Sequence, residues 1–303
     1  MVVAQYLLTF REVLEAALLT AIILAFLVKT NRASQTRYAW FGIYGALGAS
    51  VGLGLGIWLA YGTLGDAQQT LFEGVAALVA VAVLTSMIYW MATKGRTIRQ
   101  EVEGRVEAAV TQGTILALFS LTFVLVVREG LETVLFLTPF LVQDPVATMA
   151  GAGLGLAFGV LLAYGVFRVG LRLDIRKFFY ITSVLLVLLA GGLLGYGVHE
   201  LIEYGEAVGV DLGWWASAAY QLPFASGDLL HHKGAVGSIF AVMFGYNVSP
   251  EWARIVAHVV YLAVALPLVI AVYRRPEWIA ALGARLRRPF ASAARARAPE
   301  PEK

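Results

Sequence analysis

Two segments of the chain, Phe10-Arg11-Glu12-Val13-Leu14-Glu15 and Val127-Arg128-Glu129-Gly130-Leu131-Glu132, set one arginine and two glutamates at the same spacing inside otherwise apolar runs. On a helix, residues three apart share a face, so Glu12 lies with Glu15 and Glu129 with Glu132, while each arginine stands four residues before the second acid, at ion-pair spacing. A charge at the centre of a membrane-spanning helix costs about 2.5–3.5 kcal/mol, and each segment carries three. Four carboxylates gathered with two guanidiniums keep an excess of negative charge, which suits a hard, highly charged cation. The chain has no cysteine, which removes disulfides, thiolate sites and cysteine nucleophiles and leaves oxygen and imidazole as the expected metal donors. Two other readings compete. A buried ion-pair network could lock the two helices together, although locking does not need two acids per arginine. A proton relay could run through the same carboxylates, alone or alongside metal transport.

Further candidates lie toward the ends of other apolar runs. Glu73 stands in Phe72-Glu73-Gly74, and His199, Glu200, Glu203 and Glu206 follow one another closely, with His199 and Glu203 four apart on one helical face. An imidazole and a carboxylate so spaced can share a transition metal; a helix end meeting water accounts as well for Glu200 and Glu206. His231-His232-Lys233 could pass a metal inward or simply be solvated, and His258 reads as a packing residue.

The elements that must hold these residues follow from composition. Hydrophobic residues make up 59% of the 303 positions and charged residues 14%, a balance that puts most of the chain in lipid. Crossing a bilayer core takes about 20 apolar residues, and such runs recur at 3–28, 39–61, 70–92, 114–138, 146–167, 178–200 and 254–273. The expected fold is an all-α polytopic membrane protein with seven transmembrane helices. The first run holds Arg11, Glu12 and Glu15 and has no small-residue cleavage site behind it, so it reads as a retained helix and not a signal peptide. All of the 23 basic residues but Arg11, Arg128, Lys233 and Arg254 fall on one side of these spans, which predicts an N-terminus outside and a C-terminus in the cytoplasm of a plasma (inner) membrane. Asp66, Glu73, Asp144, Glu200, Glu203, Glu206, Asp211, Asp228 and Glu251 gather opposite. An acidic mouth concentrates cations, and a positive-inside bias alone would also leave acids there.

The doubled motif marks an internal duplication. Gly48, Gly52 and Gly56 in the second run match Gly151, Gly155 and Gly159 in the fifth, as small-residue ridges on which helices approach closely. Each unit has three spans, an odd number, so the second must be inverted, and inverted repeats in carriers carry substrate where the halves meet. The expected division is 1–92 for the first repeat, 93–113 for a cytoplasmic amphipathic connection and 114–200 for the second repeat. After these come 201–253 as an extracytoplasmic loop whose Ala235–Phe244 stretch partly re-enters the membrane, 254–275 as the seventh helix, and 276–303 as a basic, partly disordered cytoplasmic tail.

The doubled Arg-Glu-x-x-Glu in the first and fourth of seven spans resembles the high-affinity iron permease family, the oxidase-dependent iron transporters, whose bacterial members include ferrous-iron uptake permeases. The resemblance covers roughly residues 1–275 and extends to Phe72-Glu73-Gly74, Met87-Ile88-Tyr89-Trp90-Met91, Gly197-Val198-His199-Glu200 and Phe244-Gly245-Tyr246. The first motif reads Arg-Glu-Val-Leu-Glu where the family commonly has glycine after the first glutamate, which bears on local helix packing. The resemblance implies uptake of iron, as Fe(II) or Fe(III), with Glu12, Glu15, Glu129 and Glu132 as ligands. It implies no permanently bound cofactor, and a separate extracytoplasmic oxidase, peroxidase or metal-binding protein as partner. Relatives that handle lead leave another heavy or divalent cation, such as lead or manganese, as the alternative cargo. Homo-oligomerisation stays open, and nothing calls for nucleic acid. A retinal-type receptor is disfavoured because 254–273 holds no lysine, and a membrane hydrolase because no Ser/His constellation lies within the spans.

Overall fold

A computed structural model describes residues 2–94, 97–111, 115–169, 174–225, 227–232, 234 and 236–274. The described residues are overwhelmingly helical. In chain order the helices are α1 (Val2–Lys29), α2 (Thr36–Tyr61), α3 (Asp66–Lys94), α4 (Ile98–Thr111), α5 (Ile115–Gln143), α6 (Pro145–Tyr164), α7 (Ile175–Ala207), α8 (Gly237–Phe244) and α9 (Trp252–Arg274). Five of them, α2, α3, α6, α7 and α9, are long and apolar enough to cross a membrane. α1 and α5 are just as long, 28 and 29 residues, and differ in carrying three charges each in mid-helix.

Sequence signals set several boundaries. Asp144 caps α6 by accepting from the Ala147 N–H at 3.0 Å, with Pro145 in the first turn where no N–H is needed. Asp174 caps α7 in the same way through Lys177 N. The turn after α1 passes through Asn31 at φ 57°, a conformation asparagine tolerates. The ends depart from expectation in places. α6 stops at Tyr164 and the chain continues as a π turn through Gly165–Val169. α5 runs on to Gln143, and α7 runs on to Ala207, beyond the boundary drawn at 200. Thr114, Lys233, Ala235 and the whole 276–303 tail lie outside the described residues.

The surface is apolar and the interior holds charge. Phe41, Tyr44, Leu47, Val51, Leu55 and Leu59 of α2 face outward, while Gln5, Thr9, Arg11, Glu12, Glu15 and Glu129 are buried. Water would reverse that distribution, and lipid favours it. α1 packs along α6, α2 along α5, α3 along α7 and α7 along α9, with α1 and α5 crossing between them. The main core joins α3, α7 and α9 through residues such as Leu84, Ile88, Leu186 and Val269. A second core gathers Leu19, Ile23 and Leu27 of α1 with Val102 and Val106 of α4. α4 is thus an amphipathic helix laid across the ends of α1 and α5.

Small residues decide the α1–α6 and α2–α5 contacts: on α6 the ridge is the expected Gly151, Gly155 and Gly159, whereas on α2 it is a different one from that suggested by the glycine spacing. Gly48, Gly52 and Gly56 have nothing within 4 Å of where a side chain would start. The ridge that packs on α5 is Gly42, Ala46 and Ser50. A Cβ on Gly42 would stand 2.7 Å from Phe119 O, 3.0 Å from Phe123 N and 3.0 Å from Thr122 Cβ. One on Gly151 would stand 2.7 Å from Val2 O, 3.3 Å from Tyr6 N and 2.8 Å from Gln5 Cβ. Each of these α5 residues is offset from its α1 counterpart by the same interval that separates Glu129 from Glu12. The α2 glycines match α6 in spacing alone; Gly42 matches Gly151 in contacts.

The long connection carries structure of its own. α8 lies against α7, with Val242 tight on Gly192, and ends at Gly245 in the left-handed region (φ 65°) beside the His258 ring. An isolated bridge joins Ala218 to Glu251 and pins the start of α9.

Candidate metal site

Because α1 and α5 cross at their motifs, the acids predicted from the two segments meet. One carboxylate oxygen from each of Glu12, Glu15 and Glu129 lies within 4.8 Å of the others, and all three residues are buried. Arg11 is buried between its own two acids, Nη1 to Glu12 Oε1 at 2.8 Å and Nη2 to Glu15 Oε1 at 2.7 Å, and Nη1 also donates to Met87 Sδ of α3 at 3.2 Å. On α5, Arg128 holds Glu129 at 3.3 Å and Glu132 at 3.2 Å more loosely, and its guanidinium stacks over the Trp90 ring, 4.7 Å from the centroid. Glu132 is therefore on the rim, beside Arg128. The second oxygens of Glu12, Glu129 and Glu132 are buried with no hydrogen-bond partner. Leaving such an acceptor unsatisfied costs about 1–3 kcal/mol, more for a charged group, a cost that a bound cation or a proton would offset.

The candidates away from the two motifs divide. Glu73 of α3 accepts from Tyr61 at 2.5 Å and from Tyr196 of α7 by a shorter bond, which makes it a tie between helices. His199, Glu200 and Glu203 each bring one donor atom within 4.8 Å of the others. His199 Nδ1 stands 2.8 Å from Glu251 Oε1, and Nε2 stands 3.5 Å from Glu203 Oε1. Burial works against the Glu251 charge, yet the His199 hydrogen bond, its own backbone and Arg254 hold its carboxyl below the usual carboxylate range. His231 is buried and its ring lies 4.1 Å from that of His232, tilted by 32°; neither falls in a metal-holding group among the described residues. His258 packs between Gly191 and Gly245.

Sequence reasoning missed Met87, Trp90, Tyr196, Glu251 and Arg254. Met87 and Trp90 were visible only as parts of a motif. Tyr196, four residues before Glu200, could have been found by helical spacing. Glu251 reaches His199 from 52 positions away, a contact with no local signal.

Helices long and apolar enough to cross a membrane, packed around a buried carboxylate group, fit the class of membrane permeases. The chain belongs to the iron permease FTR1 family, whose model matches residues 2–273. An Archaeoglobus fulgidus chain described as "Uncharacterized protein" is 44% identical over 271 residues, covering 89% of this chain and 95% of that one. The "Ferrous iron permease EfeU" of Yersinia pestis is 32% identical over 266 residues (87% and 91%). That of Escherichia coli O6:H1 is 32% identical over 264 residues (86% and 92%). No solved structure matches the chain.

Proposed function

We propose that the chain imports iron across the plasma membrane, with Glu12, Glu15, Glu129 and Glu132 as the transport ligands and Arg11 and Arg128 as their counter-charges. The observation that carries this reading is the convergence of three buried carboxylates from two helices in a chain of an iron permease family. Ferrous iron permeases among its similar relatives favour iron as the cargo.

On this reading α1, α2, α3, α5, α6, α7 and α9 are seven spans with the N-terminus outside, and α5–α7 are an inverted copy of α1–α3. The matched surroundings of Gly42 and Gly151 support the duplication. The cation replaces part of each arginine's hold on the acids, and the guanidiniums keep the empty site from carrying four uncompensated charges. A separate extracytoplasmic oxidase, peroxidase or metal-binding protein delivers it.

Uptake of radioactive iron by cells carrying Glu12→Gln or Glu129→Gln tests the assignment. Losing one charge-assisted contact of about 1.5–3 kcal/mol lowers uptake about tenfold or more, at unchanged membrane levels of protein. Wild-type rates in both variants would remove these residues from the pathway, and a panel of competing metals in the same assay reads the cargo.

A further inference from the structure

The outer end of α7 carries donors of a different chemistry from the buried site. We propose that His199, Glu200 and Glu203 form a second metal site that takes a divalent first-row transition-metal cation, with Glu251 as the residue that orients the imidazole. Around such an ion, with bonds of about 2.1 Å, donors stand roughly 3 Å apart when adjacent and roughly 4.2 Å when opposite. The three donor atoms lie within 4.8 Å of one another, slightly more open than an occupied shell, and side-chain rotation closes the difference.

The second, independent observation is the placement of the ring. Glu251 is fixed by the bridge to Ala218 and by Trp252 N donating to Ser217 O at 3.2 Å, so its carboxylate is held in place 2.8 Å from His199 Nδ1. That contact fixes the ring with Nε2 toward Glu203, the carboxylate–histidine geometry that orients metal-bound imidazoles. Nε2 and Glu203 Oε1 face each other 3.5 Å apart. A cation between them satisfies both. Glu200 is buried and Glu203 is half exposed, so one side is open to solvent. Mixed nitrogen and oxygen donors favour transition metals over calcium and magnesium, whereas the Glu12–Glu15–Glu129 group is all oxygen. The outer site thereby selects cations before they meet the inner one.

The test is binding of substoichiometric Co²⁺ to the purified full chain in detergent, read by electron spin echo modulation from a coordinated ring nitrogen and by affinity. The wild type shows the nitrogen coupling. His199→Gln abolishes it, and Glu251→Gln weakens binding about tenfold. The Glu12→Gln/Glu129→Gln double variant keeps the coupling, so the proposal can stand or fall apart from the transport reading. Absence of nitrogen coupling in the wild type overturns it, as does coupling that persists in His199→Gln. Should His199→Gln not fold, Glu203→Gln decides, since that side chain is half exposed: affinity must fall about tenfold with the nitrogen still coupled, and unchanged affinity overturns the site.

Discussion

The two motif helices carry the same charges in the same order and sit in unlike surroundings. On α1, Arg11 is 1% exposed and clasped by both of its acids; on α5, the Arg128 side chain is 41% exposed and its ion pairs are longer. An arginine half exposed in the middle of a long, otherwise apolar helix needs water or another polar partner, so the carboxylate group is closed on the α1 side and more open on the α5 side. Bulk is also exchanged at the crossings. Val13, after the first glutamate of α1, fills the space that Gly159 of α6 leaves, whereas Gly130, at the same position of α5, receives Ser50 of α2. Each crossing has one small residue and one larger one, assigned oppositely. The departure from glycine in the first motif is thus matched on the neighbouring helix, and the acids keep their distance in both halves.

The largest effect expected from breaking this comparison is at Gly155, where a side chain would meet Tyr6 O at 2.6 Å and Phe10 N at 2.8 Å. Backbone cannot move aside cheaply, so Gly155→Leu removes folded protein from the membrane. Gly52→Leu, on the glycine stripe that touches nothing, leaves protein level and uptake unchanged; a loss there would restore the ridge that spacing alone suggested. Next comes Gly130→Val, which collides with Ser50 and costs on the order of 1–3 kcal/mol as an overpacked contact. Adding Ser50→Gly rebuilds in α5 and α2 the arrangement of Val13 and Gly159, and thermal stability in detergent returns toward wild type. No recovery would mean that the two crossings are not equivalent.

Why spacing misled at α2 is instructive about how far the sequence could be read. Small residues occupy Gly42, Ala46, Gly48, Ser50, Gly52, Gly54 and Gly56, so two faces of that helix satisfy a four-residue repeat, and only the contacts choose between them. The long helices were legible because lipid imposes length and apolarity together. The motif acids were legible because charge in such a run is costly enough to stand out. Their counterparts were not: Met87 and Trp90 look like ordinary core residues, and the Glu251–His199 contact closes across a connection whose path nothing local dictates. α8, expected as a partial re-entry, lies on mid-α7 because Gly192 lets Val242 approach.

A further contrast, whose finest step is the stacking on Trp90, separates the two arginines. Arg11→Gln strands Glu12 and Glu15 in a closed interior, and breaking a buried pair costs about 3–5 kcal/mol. Arg128→Gln gives up longer pairs whose arginine is itself part-exposed and replaceable by water, although Glu129 is buried, and a stacking contact with Trp90 of about 0.5–1 kcal/mol. Unfolding temperatures of the purified variants should therefore fall most for Arg11→Gln, less for Arg128→Gln and least for Trp90→Leu, which removes only the stacking. Equal losses at Arg11 and Arg128 would mean that the open side of the site is filled in the membrane, and the asymmetry of the two halves would then belong to the isolated chain alone.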